Sequence, residues 1–393
     1  MRKSLLPCLL LAGCAYPQGS PPAPDNLHSG FLVLDSHLDV PMHFAREGWS
    51  FADAHTLEND VVQVDIPRMA AGNLDGGFFA IYTAQGPLTA QGYADARDFA
   101  FSRSDEIDAM LAQNTNTILP ARTAADARRI DAQGKLIAFK SMENSYPLGD
   151  DLELLEEFYK RGVRMVGPVH SANNQFADSS GDSPKWNGLS PLGREWVEEM
   201  NRLGMVIDGS HASDAAFDQM VELSKTPLIL SHTSPKALSD LPRNLDDARI
   251  RKLASSGGAI CVSTIFLSPM NLPPAKAEVF GKLDSIGSMS PAEQAQFVKE
   301  WNALEESEPL WAVDFEEYMA AVLHVIKVAG VDHTCFGGDW DGGGGFKGFR
   351  DIAALPKVTA RLKQAGYSDA DIEKMWSGNM LRIVEAADAA REK

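Results

Sequence analysis

The chain alternates short apolar runs with longer segments of helical period, the order expected of strands joined by helices into a parallel sheet. Eight runs carry the strand pattern: FLVLDSH (31–37), GGFFAIYT (76–83), KLIAFKSME (135–143), VRMVGPVH (163–170), GMVIDGSH (204–211), PLILSHT (227–233), GAICVST (258–264) and HTCFGGD (333–339). Between them, stretches such as DLELLEEFYKRG and GREWVEEMNRLG have helical spacing and end in glycine, as helix C-termini often do. Eight such units predict an α/β fold, a (β/α)8 TIM barrel. One catalytic domain would cover residues 31–393.

Polar chemistry is concentrated where these runs stop. Six of the eight finish on a group that binds metal or moves protons: His37 with Asp39, Glu143, His170, His211, His232 and Asp339. In a barrel of this kind the site is built from the C-terminal ends of the strands, so these residues would converge. His37 and Asp39 lie two apart, so on an extended chain both side chains point the same way and can grip one cation. A single histidine of this sort is more often structural; six strand ends in agreement argue for a shared site.

The ligand types narrow the metal. Imidazole and carboxylate without thiolate suit zinc, with manganese and iron as alternatives. One catalytic zinc uses about three protein ligands. Three histidines, an aspartate and a glutamate exceed that, and two ions sharing a carboxylate would use them well. A two-metal site activates water at neutral pH and polarises the carbonyl under attack, which is hydrolytic chemistry. The chain has no GxSxG, no GxGxxG after a strand and no P-loop, so serine-hydrolase, dehydrogenase and NTPase readings lack support. DGGGGFKG (341–348) is expected to be a flexible loop at the site.

Charge and chain ends add the setting. Lys plus Arg number 36 against 54 acids, a net charge of −18 with no basic stripe, so nucleic-acid binding is not expected. MRK followed by SLLPCLLLAGC forms a short, positively led apolar segment, too short to span a bilayer. It resembles a lipoprotein signal ending in a lipobox (1–14), with Cys14 as the lipidated residue; an ordinary signal peptide is the alternative. Residues 15–30 hold four prolines and would form an extended tether, placing the domain on the bacterial cell envelope, facing the periplasm or the exterior. Cys261 and Cys335 remain in the domain, either paired or as buried free thiols.

The blocks DSHLDVP, HSANNQFAD, NGLSPLGREWVEEMNRLGMVIDGSHAS, PLILSHTSP, RN at 243–244 and FGGDWDG resemble the membrane (renal) dipeptidases, zinc peptidases of family M19 with a (β/α)8 barrel. The resemblance runs from about Val33 to about Gly342. It implies two zinc ions per chain, one held by His37 and Asp39, the second by His211 and His232, with Glu143 bridging both. It further implies that His170 lies against the substrate, that Asp339 carries the proton to the leaving amine, and that Arg243 receives the carboxylate of a free dipeptide. On residues alone, Arg243 in SDLPRNLDD reads as a solvated loop arginine pairing with Asp246 or Asp247. The resemblance also implies small dipeptides as substrates and a homodimer as the assembly. Between GAICVST and DFEEYMAAVLHVIKVAG lies an insertion at about 265–313, with PAEQAQFVKEWNALEES helical, expected to cover the site as a lid. Another di-metal amidohydrolase, or a non-catalytic dipeptide-binding lipoprotein, would use the same residue set.

Overall fold

The computed structural model describes residues 30–392. The signal segment, Cys14 and the proline-rich tether up to residue 29 lie outside the described residues. Nine parallel strands follow in order: β1 (Leu34–Leu38), β2 (Gly76–Tyr82), β3 (Ile118–Pro120), β4 (Leu136–Glu143), β5 (Val163–Val166), β6 (Val206–Ile207), β7 (Ile229–Thr233), β8 (Ala259–Val262) and β9 (Thr334–Phe336). They pair as β1-β2-β4-β5-β6 and β7-β8-β9. Single bridges between Asp208 and Ile229 and between Leu38 and Trp340 carry the ring across both gaps. The result is the TIM barrel.

All eight expected strands form. The ninth, β3, is three residues ending in a proline, too short for an apolar pattern to reveal it. It pairs with Leu136–Ala138 of β4, while β5 pairs with Lys140–Met142 further along. The runs of β5, β6, β8 and β9 end earlier than expected, β5 and β9 at Gly167-Pro168 and Gly337-Gly338. His170, His211 and Asp339 therefore sit on loops just past their strands, whereas His37, Glu143 and His232 are within theirs.

The two-residue period of the strands divides the core. Phe78, Ile137, Phe139, Ala259 and Cys261 join one buried cluster with Met380, Leu381, Ile383 and Val384 of the helix Asn379–Ala390. The residues between them, including Phe79, Ile81, Ala138, Met142 and Ile260, join a larger cluster with the surrounding helices. Each such large apolar side chain contributes about 1.5–3 kcal/mol on burial. Glu143 shares the parity of Ile137 and Phe139, so the same alternation that fills the core aims its carboxylate inward at the end of β4. Cys261 and Cys335 stand opposite each other on β8 and β9 and form a disulfide.

The helix Pro191–Leu203 shows how local sequence sets these elements. Ser190 caps its first turn by accepting from Gly193 N, Pro191 occupies the first position, and Gly204 ends it at φ +69°. The insertion contributes the helices Pro274–Phe280 and Pro291–Ser307, and its Val279, Ile286, Phe297 and Val298 form a small core together with Val61. It is anchored to residues 46–57 by Gln294, which accepts from Arg46 Nε at 3.0 Å, and by Asn302, which donates to Leu57 O at 2.6 Å. This segment is a packed wall rather than a free flap. Among the described residues, no helix is long and apolar enough to cross a membrane.

Candidate active site

Every residue expected at the strand ends meets at one end of the barrel. Glu143 is the hub. Its Oε1 lies 2.8 Å from His211 Nε2 and 3.4 Å from His232 Nε2, while its Oε2 faces His37 Nε2 at 3.5 Å. His37 Nε2 is also 3.2 Å from Asp39 Oδ2 and 3.7 Å from Asp339 Oδ1. The two oxygens of one carboxylate thus serve two separate pairs. His211 and His232 bring their Nε2 atoms within 2.8 Å of each other. His170 stands at the edge, its ring 4.2 Å from that of His211 and edge-on to Tyr82.

A layer of polar residues behind these groups sets their orientation. Ser231 Oγ donates to Asp208 Oδ2 and lies 2.7 Å from His232 Nδ1. With its proton committed to Asp208, Ser231 accepts from Nδ1–H, which leaves the Nε2 lone pair of His232 facing the site. Asp35 accepts from the backbone N–H groups of His37 and Gly338 and from Trp340 Nε1, tying β1 to the loop that carries Asp339. Asn144, directly after Glu143, donates to Thr83 O and accepts from Asn174. The Asp208–Ser231 pair was not singled out by sequence, since Asp and Ser are ordinary at strand ends and the pairing of neighbouring strands is needed to bring them together.

Backbone strain is confined largely to the same place. Asn144, His211, Asp339 and Asp341 have φ between +57° and +72° without being glycine, a conformation that persists where the surroundings enforce it and that gathers at functional sites. The glycine-rich loop is not the flexible segment composition suggested. Gly344 N donates to Asp339 O, Gly345 N to Thr264 Oγ1, and Gln63 and Trp311 donate to Gly344 O and Gly343 O. Its glycines permit close approach: a Cβ on Gly342 would overlap the carboxylate of Asp39.

The electrostatics ask for positive charge. Burial alone would depress His37, yet the carboxylates of Asp39 and Glu143 outweigh it and hold the imidazole well above its usual range. Burial, followed by the charge of Asp39, pushes Asp339 well above the carboxylate range. Glu143 resists its own burial because the surrounding histidines keep it ionised and low. Burial, reinforced by neighbouring positive groups, drives His211 and His232 well down, so both are neutral imidazoles suited to ligation. Burial raises Asp35 to about 7.

These residues fit metal ions on the chemistry of their donors. Both ring nitrogens of His37 and Asp39 Oδ1 are buried without a hydrogen bond, a costly arrangement unless a cation satisfies them. Three sets of ligand atoms each lie within 4.8 Å of one another: Glu143, His211 and His232; His37, Asp39 and Glu143; and His37, His232 and Asp339. The third set brings Asp339 within reach of the metal-binding groups, as its place at a strand end implied.

Arg243 lines the same space. It is not paired with Asp246 or Asp247, which are taken by Arg249 and His324. Its Nη1 donates to Thr233 Oγ1 at 2.9 Å and Nη2 to His232 O at 2.8 Å, while Nε is buried without a partner. Burial lowers it to about 10, which leaves it charged at neutral pH. A cavity of about 840 Å³ stands over all these groups, with Asp39, Glu143, His170, His211, Arg243 and Asp339 in its lining.

Barrel and donor cluster together define a metal-dependent hydrolase of the TIM-barrel class. The family model for membrane dipeptidases, peptidase family M19, matches residues 24–393. The chain belongs to that family and is a metallopeptidase acting on dipeptides. Dipeptidase tcpJ of Claviceps purpurea is 30% identical over 368 residues, covering 91% of this chain and 77% of the relative. The crystal structure of the probable dipeptidase PvdM from Pseudomonas aeruginosa superposes with a TM-score of 0.79 at 32% identity, covering 93% of this chain and 98% of that one. A metallo peptidase from Rhodobacter sphaeroides, liganded with a phosphinate mimic of the dipeptide L-Ala-D-Ala, gives a TM-score of 0.72 at 25% identity, covering 91% and 99%.

Proposed function

We propose that the chain is a binuclear zinc dipeptidase of the cell envelope. The observation that carries this reading is the division of Glu143, whose two oxygens face separate ligand groups. His37 and Asp39 would hold one ion, His211 and His232 the other, and Glu143 would bridge them. Bound zinc supplies Lewis-acid polarisation of the scissile carbonyl and activation of water at neutral pH. The chain's residues do the rest. Arg243 grips the free carboxylate of the dipeptide through its unspent N–H groups, which fixes the single peptide bond over the cluster. His170, at the rim beside His211, donates to the oxygen on which charge develops. Asp339 moves the proton to the leaving amine. The Rhodobacter relative, liganded with a dipeptide mimic, supports this substrate class.

Free dipeptides should be cleaved and the matching dipeptide amides should be poor substrates, as the amides lack the group Arg243 holds. Charge-assisted hydrogen bonds contribute about 1.5–3 kcal/mol each. Arg243→Ala should therefore lower kcat/KM on dipeptides by at least about tenfold. Equal cleavage of amides and free dipeptides by the unmutated enzyme would remove the clamp and favour a broader amidohydrolase. The lipobox pattern at LAGC supports anchoring through Cys14. Cys14→Ser should move the protein out of the membrane fraction; if it stays there, that anchor is wrong.

A further inference from the structure

We propose that this enzyme selects dipeptides whose carboxylate-bearing residue has a large apolar side chain, and that Phe266 sets the preference. The inference rests on the dipeptidase reading above and deepens it. A cavity of about 840 Å³ lies in the upper part of the roughly 300–1,000 Å³ range that encloses a drug-sized ligand, more than a dipeptide of small residues fills. Its polar lining includes the metal-ligand cluster and Arg243, together with Asp95, Arg103 and Ser180. The insertion adds an apolar stretch of lining, Ile265, Phe266, Met270, Phe280 and Trp311, with Phe266 beside Arg243.

Phe266 is placed with care. Its φ is +54°, a left-handed conformation that an aromatic residue rarely adopts and that needs enforcement by its surroundings. Enforcement comes from buried Asn244, which donates to Phe266 O at 2.9 Å and directly follows Arg243 in the chain. The ring lies 5.8 Å from the Arg243 guanidinium and packs edge-on against Trp311 at 5.2 Å. Trp311 is itself fixed by its donation to Gly343 O in the loop of Asp339. The half-buried ring is thus held between the carboxylate clamp and the Asp339 loop. A dipeptide with its carboxylate on Arg243 would bring the side chain of that same residue against Phe266. A small side chain leaves this wall wet; a leucine or phenylalanine covers it.

The test is kcat/KM of the zinc-loaded full chain on the free dipeptides Ala-Gly, Ala-Ala, Ala-Leu and Ala-Phe, with Phe-Gly as the reversed arrangement. Ala-Leu and Ala-Phe should exceed Ala-Gly by at least about tenfold, the discrimination a hydrophobic pocket gives for a few methylenes. In Phe266→Ala that ratio should collapse toward one, and Phe266→Leu should retain part of it. A flat series, a preference expressed through Phe-Gly instead, or an unchanged ratio in both variants would overturn the proposal. Absence of turnover on every dipeptide would overturn the dipeptidase reading, and this inference with it.

Discussion

Replacing Glu143 with glutamine should strip the enzyme of metal and of activity together. The amide keeps the shape of the carboxylate but provides one neutral oxygen where two anionic ones faced His37 and the His211–His232 pair. Changes to residues behind a metal ligand already cost about 10–100-fold in affinity, so loss of a shared ligand should exceed that. A metal ion supplies several kcal/mol of transition-state stabilisation. Losing about 4 kcal/mol of it corresponds to roughly 10³-fold in kcat/KM. The metal-free fold should survive, because Glu143 sits at the end of β4 and the apolar core lies below it. Metal content and a thermal melt of Glu143→Gln check both halves. A variant that keeps its metal and most of its turnover would show that Glu143 is not the hub.

Asp339→Asn should have the opposite signature, a loss of turnover with metal retained. Asp339 stands beside His37 and Asp39 just past the end of β9, held at φ +57° by the loop that Asp35, Thr264 and Gln63 anchor. If it transfers the proton, kcat should fall about 10²–10⁴-fold. Its Oδ1 is also 3.7 Å from His37 Nε2, so ligation is the competing role. Metal content of the variant separates them: a parallel loss of an ion would assign Asp339 to the ligand shell and leave the proton to another group.

The barrel was legible because its strands are apolar runs long enough to stand out between helical segments. The site was legible for a related reason: ligand-type residues follow those runs directly, and a barrel brings strand ends together. What was missed depends on contacts rather than pattern. β3 gives no signal in three residues, and the early ends of β5 and β9 come at Gly167-Pro168 and Gly337-Gly338, within runs that otherwise read as strand. The four glycines at 342–345 pointed to mobility, because composition shows permissiveness but not the hydrogen bonds that pin the loop. Cys261 and Cys335 were equally compatible with free thiols until β8 and β9 were seen side by side. Phe266 and Trp311 are ordinary aromatics in sequence; only packing sets them beside Arg243.

The central claim is that one carboxylate, Glu143, joins two ions into a single peptide-cleaving centre. The most direct measurement is a titration of the metal-free chain with zinc, following bound ions per chain alongside hydrolysis of a free dipeptide. The account predicts two ions bound per chain, with full activity reached only as the second site fills. Full activity with one ion bound, and no second ion taken up, would contradict it.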